Sequence, residues 1–287
     1  YGDAGAAYNR AGRIVLQEDV SGAQEFFYDP LGEVVKNVHT IVIPQHAEQT
    51  YVTEWKYDTW SRLSSMIYPD GEQVTYNYNA GGLLNSMNGK KKGSQYNYVK
   101  QLGYDKFEQR LFLAYGNGTN TAYSYEPDRR RLKVMSAKTA RGRAFMNNTY
   151  GYDKVNNILS LKNTAPIPTA NLMGGSSEYS YDYDDMYQLT EATGLFKGSN
   201  SQHRYSLAMQ YNTVGGITKK VQKHERSGGT SGNAWSEQKK TTYANDYTYG
   251  ETQPHTPVHI GQQTYSYDAN GNQTGWEDDK SGQRRKI

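Results

Sequence analysis

Tyr265-Ser266-Tyr267-Asp268-Ala269-Asn270-Gly271-Asn272 contains a strand and the turn that ends it. Side chains two apart on an extended chain lie on one face, so Tyr265 and Tyr267 point the same way. The Asp that follows can bond the backbone two residues on. Ala and Asn fill the bend, and Gly271 accepts a positive φ that other residues resist. A β-strand running into a chain reversal is the reading these eight residues support.

The same order of residues recurs outward from that stretch. Tyr8-Asn9 leads to Ile14, Tyr28-Asp29 to Val34, Tyr57-Asp58 to Leu63 and Tyr78-Asn79 to Leu84. Two copies read as one residue longer, from Tyr104-Asp105 to Leu111 and from Tyr125-Glu126 to Leu132. Tyr152-Asp153 to Ile158, Tyr183-Asp184 to Leu189 and Tyr211-Asn212 to Ile217 follow. A degraded copy lies around Tyr247-Thr248-Tyr249-Gly250. Aromatics two apart precede or open most copies, as at Trp55/Tyr57, Tyr76/Tyr78, Tyr123/Tyr125, Tyr150/Tyr152 and Tyr179/Tyr181/Tyr183. Each copy predicts one hairpin with its aromatic rows meeting those of the neighbouring strand, and one hairpin alone buries too little to be stable. Stacked hairpins in a long antiparallel sheet are the expected architecture. No stretch carries the apolar period and caps of a helix.

Composition agrees with such a sheet. Leu, Ile, Val and Phe number only 44 of 287 residues, whereas there are 27 tyrosines. Tyr brings a large ring and a hydroxyl that needs a partner, which suits packed but wet sheet surfaces better than an oily core. The 32 basic and 29 acidic side chains leave a net charge of +3, too even for a nucleic-acid scaffold. Without cysteine there is no disulfide framework and no thiolate chemistry. No apolar run is long enough for a membrane-spanning helix. The whole chain, residues 1–287, reads as one repeat array of ten to eleven hairpins and as a segment of something longer. Loop insertions are expected near 163–178 and 227–233, with a shorter one at 199–203.

With these residues in hand the chain resembles the YD-repeat, or Rhs, family: bacterial Rhs toxins, the C component of insecticidal toxin complexes, and animal teneurins. The passages that carry the resemblance are Tyr104 to Leu132 with its Tyr115-Gly116-Asn117-Gly118-Thr119 turn, Tyr265 to Asn272, and Pro254-His255-Thr256-Pro257-Val258-His259-Ile260-Gly261. It covers nearly the whole chain. The resemblance implies an all-β curved sheet of consecutive hairpins forming part of a hollow cage that encloses a C-terminal toxic effector. It also implies a self-cleaving core, expected beyond Ile287. The implied partners are the effector, the remainder of the shell and a secretion or delivery apparatus. The implied location is outside the producing cell or delivered from it. A teneurin-like adhesion or carbohydrate-binding protein is the alternative.

Several residues invite chemical readings. Asp29-Pro30-Leu31-Gly32 has the DP-x-G form of the family's aspartyl cleavage element, but Glu33 follows where the family has Leu and no second copy appears; a plain turn is favoured. His255 and His259 would share a helix face for a metal, yet Pro254 and Pro257 argue against a helix. The neighbouring acids Asp184-Asp185 and Asp278-Asp279 point to opposite faces of a strand. Basic clusters at Lys90-Lys91-Lys92, Arg129-Arg130-Arg131, Arg141-Gly142-Arg143 and Arg284-Arg285-Lys286 read as solvated hairpin tips, not as a nucleic-acid track. Gly116-Asn117-Gly118 lacks the lysine and helix of a phosphate loop. Asn117, Asn147 and Asn272 open glycosylation sequons. The tyrosine rows can stack on sugars, but they read first as the glue of the sheet. No catalytic residue, metal ligand or cofactor site is assigned, and the segment is expected not to be an enzyme.

Overall fold

The computed structural model describes residues 1–169, 174–228 and 234–287. Those residues contain 23 strands and no helix. They form two compact units, one of Tyr1–Ala122 with Thr139–Arg141, the other of Tyr123–Lys138 with Gly142–Ile287.

In the first unit β1 (Leu16–Asp19), β2 (Gly22–Tyr28), β3 (Val34–Ile41), β4 (Gln49–Tyr57) and β5 (Leu63–Ile67) pair in succession, each antiparallel to the one before. The succession continues through β6 (Gln73–Tyr78), β7 (Leu84–Lys91), β8 (Ser94–Tyr104), β9 (Arg110–Tyr115) and the start of β10 (Asn120–Tyr125).

The second unit repeats this meander through β11 (Leu132–Lys138), β12 (Ala144–Tyr152), β13 (Ile158–Asn163), β14 (Ser176–Tyr183), β15 (Leu189–Lys197), β16 (Ser201–Tyr211) and β17 (Ile217–Gly228). The long β17 then takes two partners in turn. Its end pairs with β18 (Trp235–Glu237) and its beginning with β19 (Tyr243–Tyr249). β20 (Pro257–Ile260), β21 (Gln263–Tyr267), β22 (Gln273–Asp278) and β23 (Arg284–Lys286) complete it.

The expected turns share one anatomy. Asp153 donates its N–H to the Asn157 carbonyl at 3.0 Å, and its Oδ1 accepts from the amides of Val155 and Asn157 at 2.9 and 2.8 Å. Asp29, Asp58, Asp105, Asp184, Asn212 and Asp268 make the same pair of side-chain acceptances. Where the turn closes, the register slips by one residue, so that Tyr152 faces Ile158 and Tyr211 faces Ile217. This is the turn-plus-bulge connection of short hairpins. The left-handed residue is not always the expected glycine. Ser61, Glu108, Asn156 and Tyr187 hold φ between 56° and 80° where Gly271 holds 83°. A left-handed non-glycine costs about 1 to 2 kcal/mol, and the two hydrogen bonds to the acid oxygen offset it.

Two expectations change. The turn after Tyr104 has ordinary length, because Tyr104 pairs with Arg110 and Leu111 comes one residue later. Of these two copies, the turn after Tyr125 is the longer one, closed by the Glu126 N–H to the Arg131 carbonyl at 2.8 Å. Ser201–His203 belong to β16 and are not loop; the Gly198 N–H to the Ser201 carbonyl closes that hairpin at 2.9 Å. Of the two larger insertions, residues 170–173 and 229–233 lie outside the described residues. Asn163 ends β13, Ser176–Glu178 begin β14, and Ser227–Gly228 end β17.

Buried apolar residues among the described ones are few: Val74, Leu102, Leu113, Ala137, Ala165 and Ala192. Cohesion comes instead from half-buried faces. Along β14, Tyr179, Tyr181 and Tyr183 are the less exposed residues and Glu178, Ser180 and Asp182 the exposed ones. The expected meeting of aromatic rows on neighbouring strands occurs where Tyr265 faces Trp276, but it is not the rule. Other turns place an aromatic strand against its aliphatic return, so Trp55 pairs with Met66, Tyr76 with Met87 and Tyr150 with Leu161.

Candidate functional site: tyrosine clamps and sheet faces

The tyrosine that opens most of these turns acts beyond its own hairpin. Its hydroxyl donates to the carbonyl of the aliphatic residue that opened the return strand one unit earlier. Tyr57 reaches Val34 at 3.1 Å, Tyr78 reaches Leu63 at 2.8 Å and Tyr104 reaches Leu84 at 2.8 Å. Tyr152 reaches Leu132, Tyr183 Ile158 and Tyr211 Leu189, at 2.7, 3.0 and 2.7 Å. The degraded copy keeps the clamp, for Tyr249 donates to Ile217 at 2.9 Å. Burial of the ring raises the phenol pKa in Tyr57, Tyr78, Tyr152, Tyr183, Tyr211 and Tyr249, which keeps each hydroxyl a donor.

An arginine reinforces some clamps. Arg13, Arg62 and Arg131 precede the aliphatic residue and lay their guanidinium over the next unit's ring, with Arg62 at 4.4 Å from the Tyr78 centroid and Arg131 at 4.6 Å from Tyr152. Arg62 also pairs with Asp58, and Arg131 with Glu126. Arg131 donates further to the Asp153 carbonyl at 2.7 Å, and Arg129 to that of Lys154. Arg129 and Arg131 are therefore not the solvated tip the sequence suggested; they bind the next turn. Lys91 likewise pairs with Asp70 at 2.5 Å. Arg284 to Lys286 form the exposed strand β23.

The other singled-out residues fall into local roles. Asp29 spends its Oδ1 on the Leu31 and Glu33 amides, both at 2.9 Å, as Asp153 does in its turn. Asp184 does the same for Met186 and Gln188. Asp278 accepts from the Ser281 amide and hydroxyl, while Asp279 accepts from the Thr264 hydroxyl. His255 lies in the turn before β20; His259 lies on β20 and bonds Thr264 at 3.1 Å. No group of three metal-ligating side chains occurs among the described residues. Asn117 holds its own turn through Thr119, and the Asn147 and Asn272 amides bond Thr164 and Asp268.

Shallow grooves run along the sheet faces. One of about 690 Å³ lies on β21 to β23 between Thr264, Ser266, Glu277, Arg284 and Lys286. Another of about 600 Å³ is bordered by Tyr8, Phe27, Lys36, Glu54 and Ile67.

Three features have no local sequence signal. Gly194 sits beneath the rings of Tyr179 and Tyr205, where an added Cβ would come within 2.2 Å of Tyr205. Glu72 accepts from the hydroxyls of both Tyr96 and Tyr98. His203 and His224, 21 residues apart, meet at 3.0 Å. All three are made by strand register.

No family model matches the chain. It is 35% identical over 121 residues to toxin subunit YenC1 of Yersinia entomophaga, a match covering 40% of this chain and 12% of that protein. It is 30% identical over 155 residues to toxin subunit YenC2 of the same organism, covering 52% and 16%. The chain thus spans only a small part of the length of either relative. Among solved structures, the crystal structure of TcdB2-TccC3-Cdc42 superposes on 96% of this chain, using 15% of its own, with a TM-score of 0.73 at 20% identity. The Photorhabdus luminescens Tc holotoxin pore gives the same TM-score and identity. At that identity the likeness establishes the fold. Repeated turns, tyrosine clamps, toxin-subunit relatives and a shared fold lead to one assignment: the chain is related to toxin subunits of the YenC kind, consistent with the YD-repeat, or Rhs, pattern that its sequence resembles.

Proposed function

We propose that this chain is a section of the enclosing β-wall of a toxin complex and that its task is containment. The wall would isolate an effector polypeptide from the producing cell until the complex is delivered outside it. The observation that carries this reading is the fold shared with the TcdB2-TccC3 structure over 96% of the chain.

The packing supports it. A container wall meets water on both sides, so it cannot rely on a thick apolar core. Here the tyrosine clamps, the turn acids and the arginine-ring contacts supply that cohesion from half-exposed positions. The partners in this role are the remainder of the shell, the enclosed effector and a delivery apparatus. No bond chemistry is assigned to this section; its conspicuous turn carboxylates are held by turn amides.

Limited proteolysis of the full-length gene product tests the reading. Containment predicts that an effector polypeptide in the complex resists protease in the intact protein and is cut once Tyr152, Tyr183 and Tyr211 are all changed to Phe. Cleavage of that polypeptide in the folded wild type, as fast as when it is produced alone, would refute containment.

A further inference from the structure

The two facing histidines belong to a longer hydrogen-bonded chain. Ser201 Oγ lies 3.1 Å from His203 Nε2, His203 Nδ1 lies 3.0 Å from His224 Nε2, and His224 Nδ1 lies 2.6 Å from Thr241 Oγ1. Thr241 Oγ1 in turn donates to the Gln238 carbonyl at 3.2 Å. A carbonyl only accepts, so this last bond makes Thr241 accept from His224 Nδ1–H. In the neutral pair His224 Nε2 then accepts from His203 Nδ1–H, and His203 Nε2 accepts from the Ser201 hydroxyl.

The chain fastens a distinct element. Residues 238–242 connect β18 to β19, and they dock on β17 through the Gln238 N–H to the His224 carbonyl at 2.8 Å and through Thr242 Oγ1, which accepts from the His224 N–H at 3.0 Å. Gln222 adds a bond to the Thr241 carbonyl at 2.7 Å. The connector is thus held largely by His224, and His224 is held by His203.

We propose that the His203–His224 pair is an acid-operated latch, closed when the pair carries at most one charge and opened when both rings are protonated, releasing the connector between β18 and β19. One added proton is accommodated on His203 Nε2, because the Ser201 hydroxyl can rotate to accept. A second must go to His224 Nε2, which then confronts the His203 Nδ1–H donor to donor, with two positive charges at contact distance.

The surroundings favour opening. Phe196 of β15 tilts against the His203 ring at 6.3 Å and offers no counter-charge. Arg226 of β17 pairs with His203, and Tyr205 of β16 pairs with His224. Arg204, Lys223, Glu225 and Glu237 occupy the alternate positions of these strands; Glu225 is paired with both Arg204 and Lys223. Lys239 and Lys240 lie in the connector itself. Burial, then His224 and Arg226, hold the His203 pKa below its ordinary value. A histidine so depressed contributes stability that is complete above the unfolded value of 6.5 and declines as pH falls below it.

The hydroxyl-imidazole-imidazole order also suits a nucleophile with its base. Yet the Gly198 amide is spent on Ser201's own carbonyl, and Ser201 lies on a strand with no helix N-terminus beside it, so the latch is the stronger reading.

Amide hydrogen exchange on the 287-residue chain tests the latch at about pH 8 and about pH 5. Protection factors at Gln238, Thr241 and Thr242 are expected to fall roughly tenfold or more at the acid pH while those at Tyr152 and Leu161 hold. In His224→Gln the connector should show the same protection at both pH values, whereas His259→Gln should keep the wild-type response. If His224→Gln does not fold, imidazole NMR of the wild type serves instead: the His203 titration should coincide with shifts at Thr241. Equal wild-type protection at both pH values, or an undiminished acid response in folded His224→Gln, would overturn the proposal.

Discussion

The hydroxyl of Tyr211 donates to the backbone carbonyl of Leu189 at 2.7 Å, joining residues 22 apart in sequence. Leu189 opens the return strand of one repeat and Tyr211 closes the outgoing strand of the next, so the bond ties each unit to its predecessor. An intramolecular hydrogen bond of this kind contributes about 0.5 to 1.5 kcal/mol net. Tyr211→Phe removes the hydroxyl and keeps the ring, and urea unfolding should register a loss of that size. Tyr187→Phe is the matched control. Tyr187 is 59% exposed and opens no repeat, and its midpoint should not move. Equal midpoints for Tyr211→Phe and wild type would remove the clamp from the account of stability.

The turn acids make a second, pH-dependent contribution. Asp268 is held below its ordinary 3.8 first by the Asn272 side-chain amide and then by backbone amides of the turn. A carboxylate depressed in this way stabilises the fold above the unfolded value, and the contribution is lost as pH falls through the folded one. Asp58, held down mainly by Arg62, behaves alike. Thermal unfolding should therefore show a falling midpoint below about pH 4. Asn79 and Asn212 already build the same turn with a side chain that does not titrate. Replacing Asp58 and Asp268 together with Asn should keep the turns, lower the midpoint at neutral pH by the charge-dependent part alone, and flatten its acid decline. An acid decline as steep as that of wild type would assign the effect to other groups.

The repeat was legible in the sequence because each turn is encoded locally: Asp153 bonds residues two and four positions on, and that range lies within a single motif. The strand faces were legible for the same reason, since the spacing of Tyr179, Tyr181 and Tyr183 needs no knowledge of neighbours. What was not legible depends on register between strands. Arg131 reads as part of a basic tip until the next hairpin lays Asp153 and Tyr152 beside it. Gln109-Arg110-Leu111 hides which residue takes the aliphatic position, because Leu111 looks like the better candidate and the turn geometry selects Arg110. His203 sat in an expected loop, so nothing in the sequence paired it with His224.

Gly194 is such a register-made position, and it makes a sharp steric prediction. It pairs with Tyr179 on one side and Tyr205 on the other, and a Cβ would lie 2.7 Å from Tyr179 Cδ1 and 2.2 Å from Tyr205 Cε1. Two rings packed over a bare strand backbone use the missing side chain as space. Gly194→Ala should force both rings aside and cost about 1 to 3 kcal/mol. Gly103→Ala, in another strand, would meet only Phe112 Cβ at 3.6 Å, an ordinary contact, and should be tolerated far better. Comparing the two midpoints in denaturant decides it; similar losses would mean that ring packing at Gly194 is not what limits the site.

Glu72 provides a spectroscopic test of side-chain placement. Its carboxylate accepts from the Tyr96 hydroxyl at 2.5 Å and from that of Tyr98, while Lys91 pairs with the nearby Asp70. The two phenols lie edge to face at 5.4 Å, on the strand opposite Gly89. Ionising either one would set a phenolate against the carboxylate, so hydrogen bonding to Glu72 raises both tyrosines above the ordinary 10.0. A group raised in the folded state contributes stability that is present below the unfolded pKa and lost as pH rises through the folded one. Glu72→Gln keeps an acceptor oxygen and removes the charge. Absorbance titration of the folded protein should then show two tyrosines ionising at lower pH than in wild type, with Tyr96→Phe and Tyr98→Phe each removing one of them. Superimposable titration curves for Glu72→Gln and wild type would show that the carboxylate does not govern these phenols.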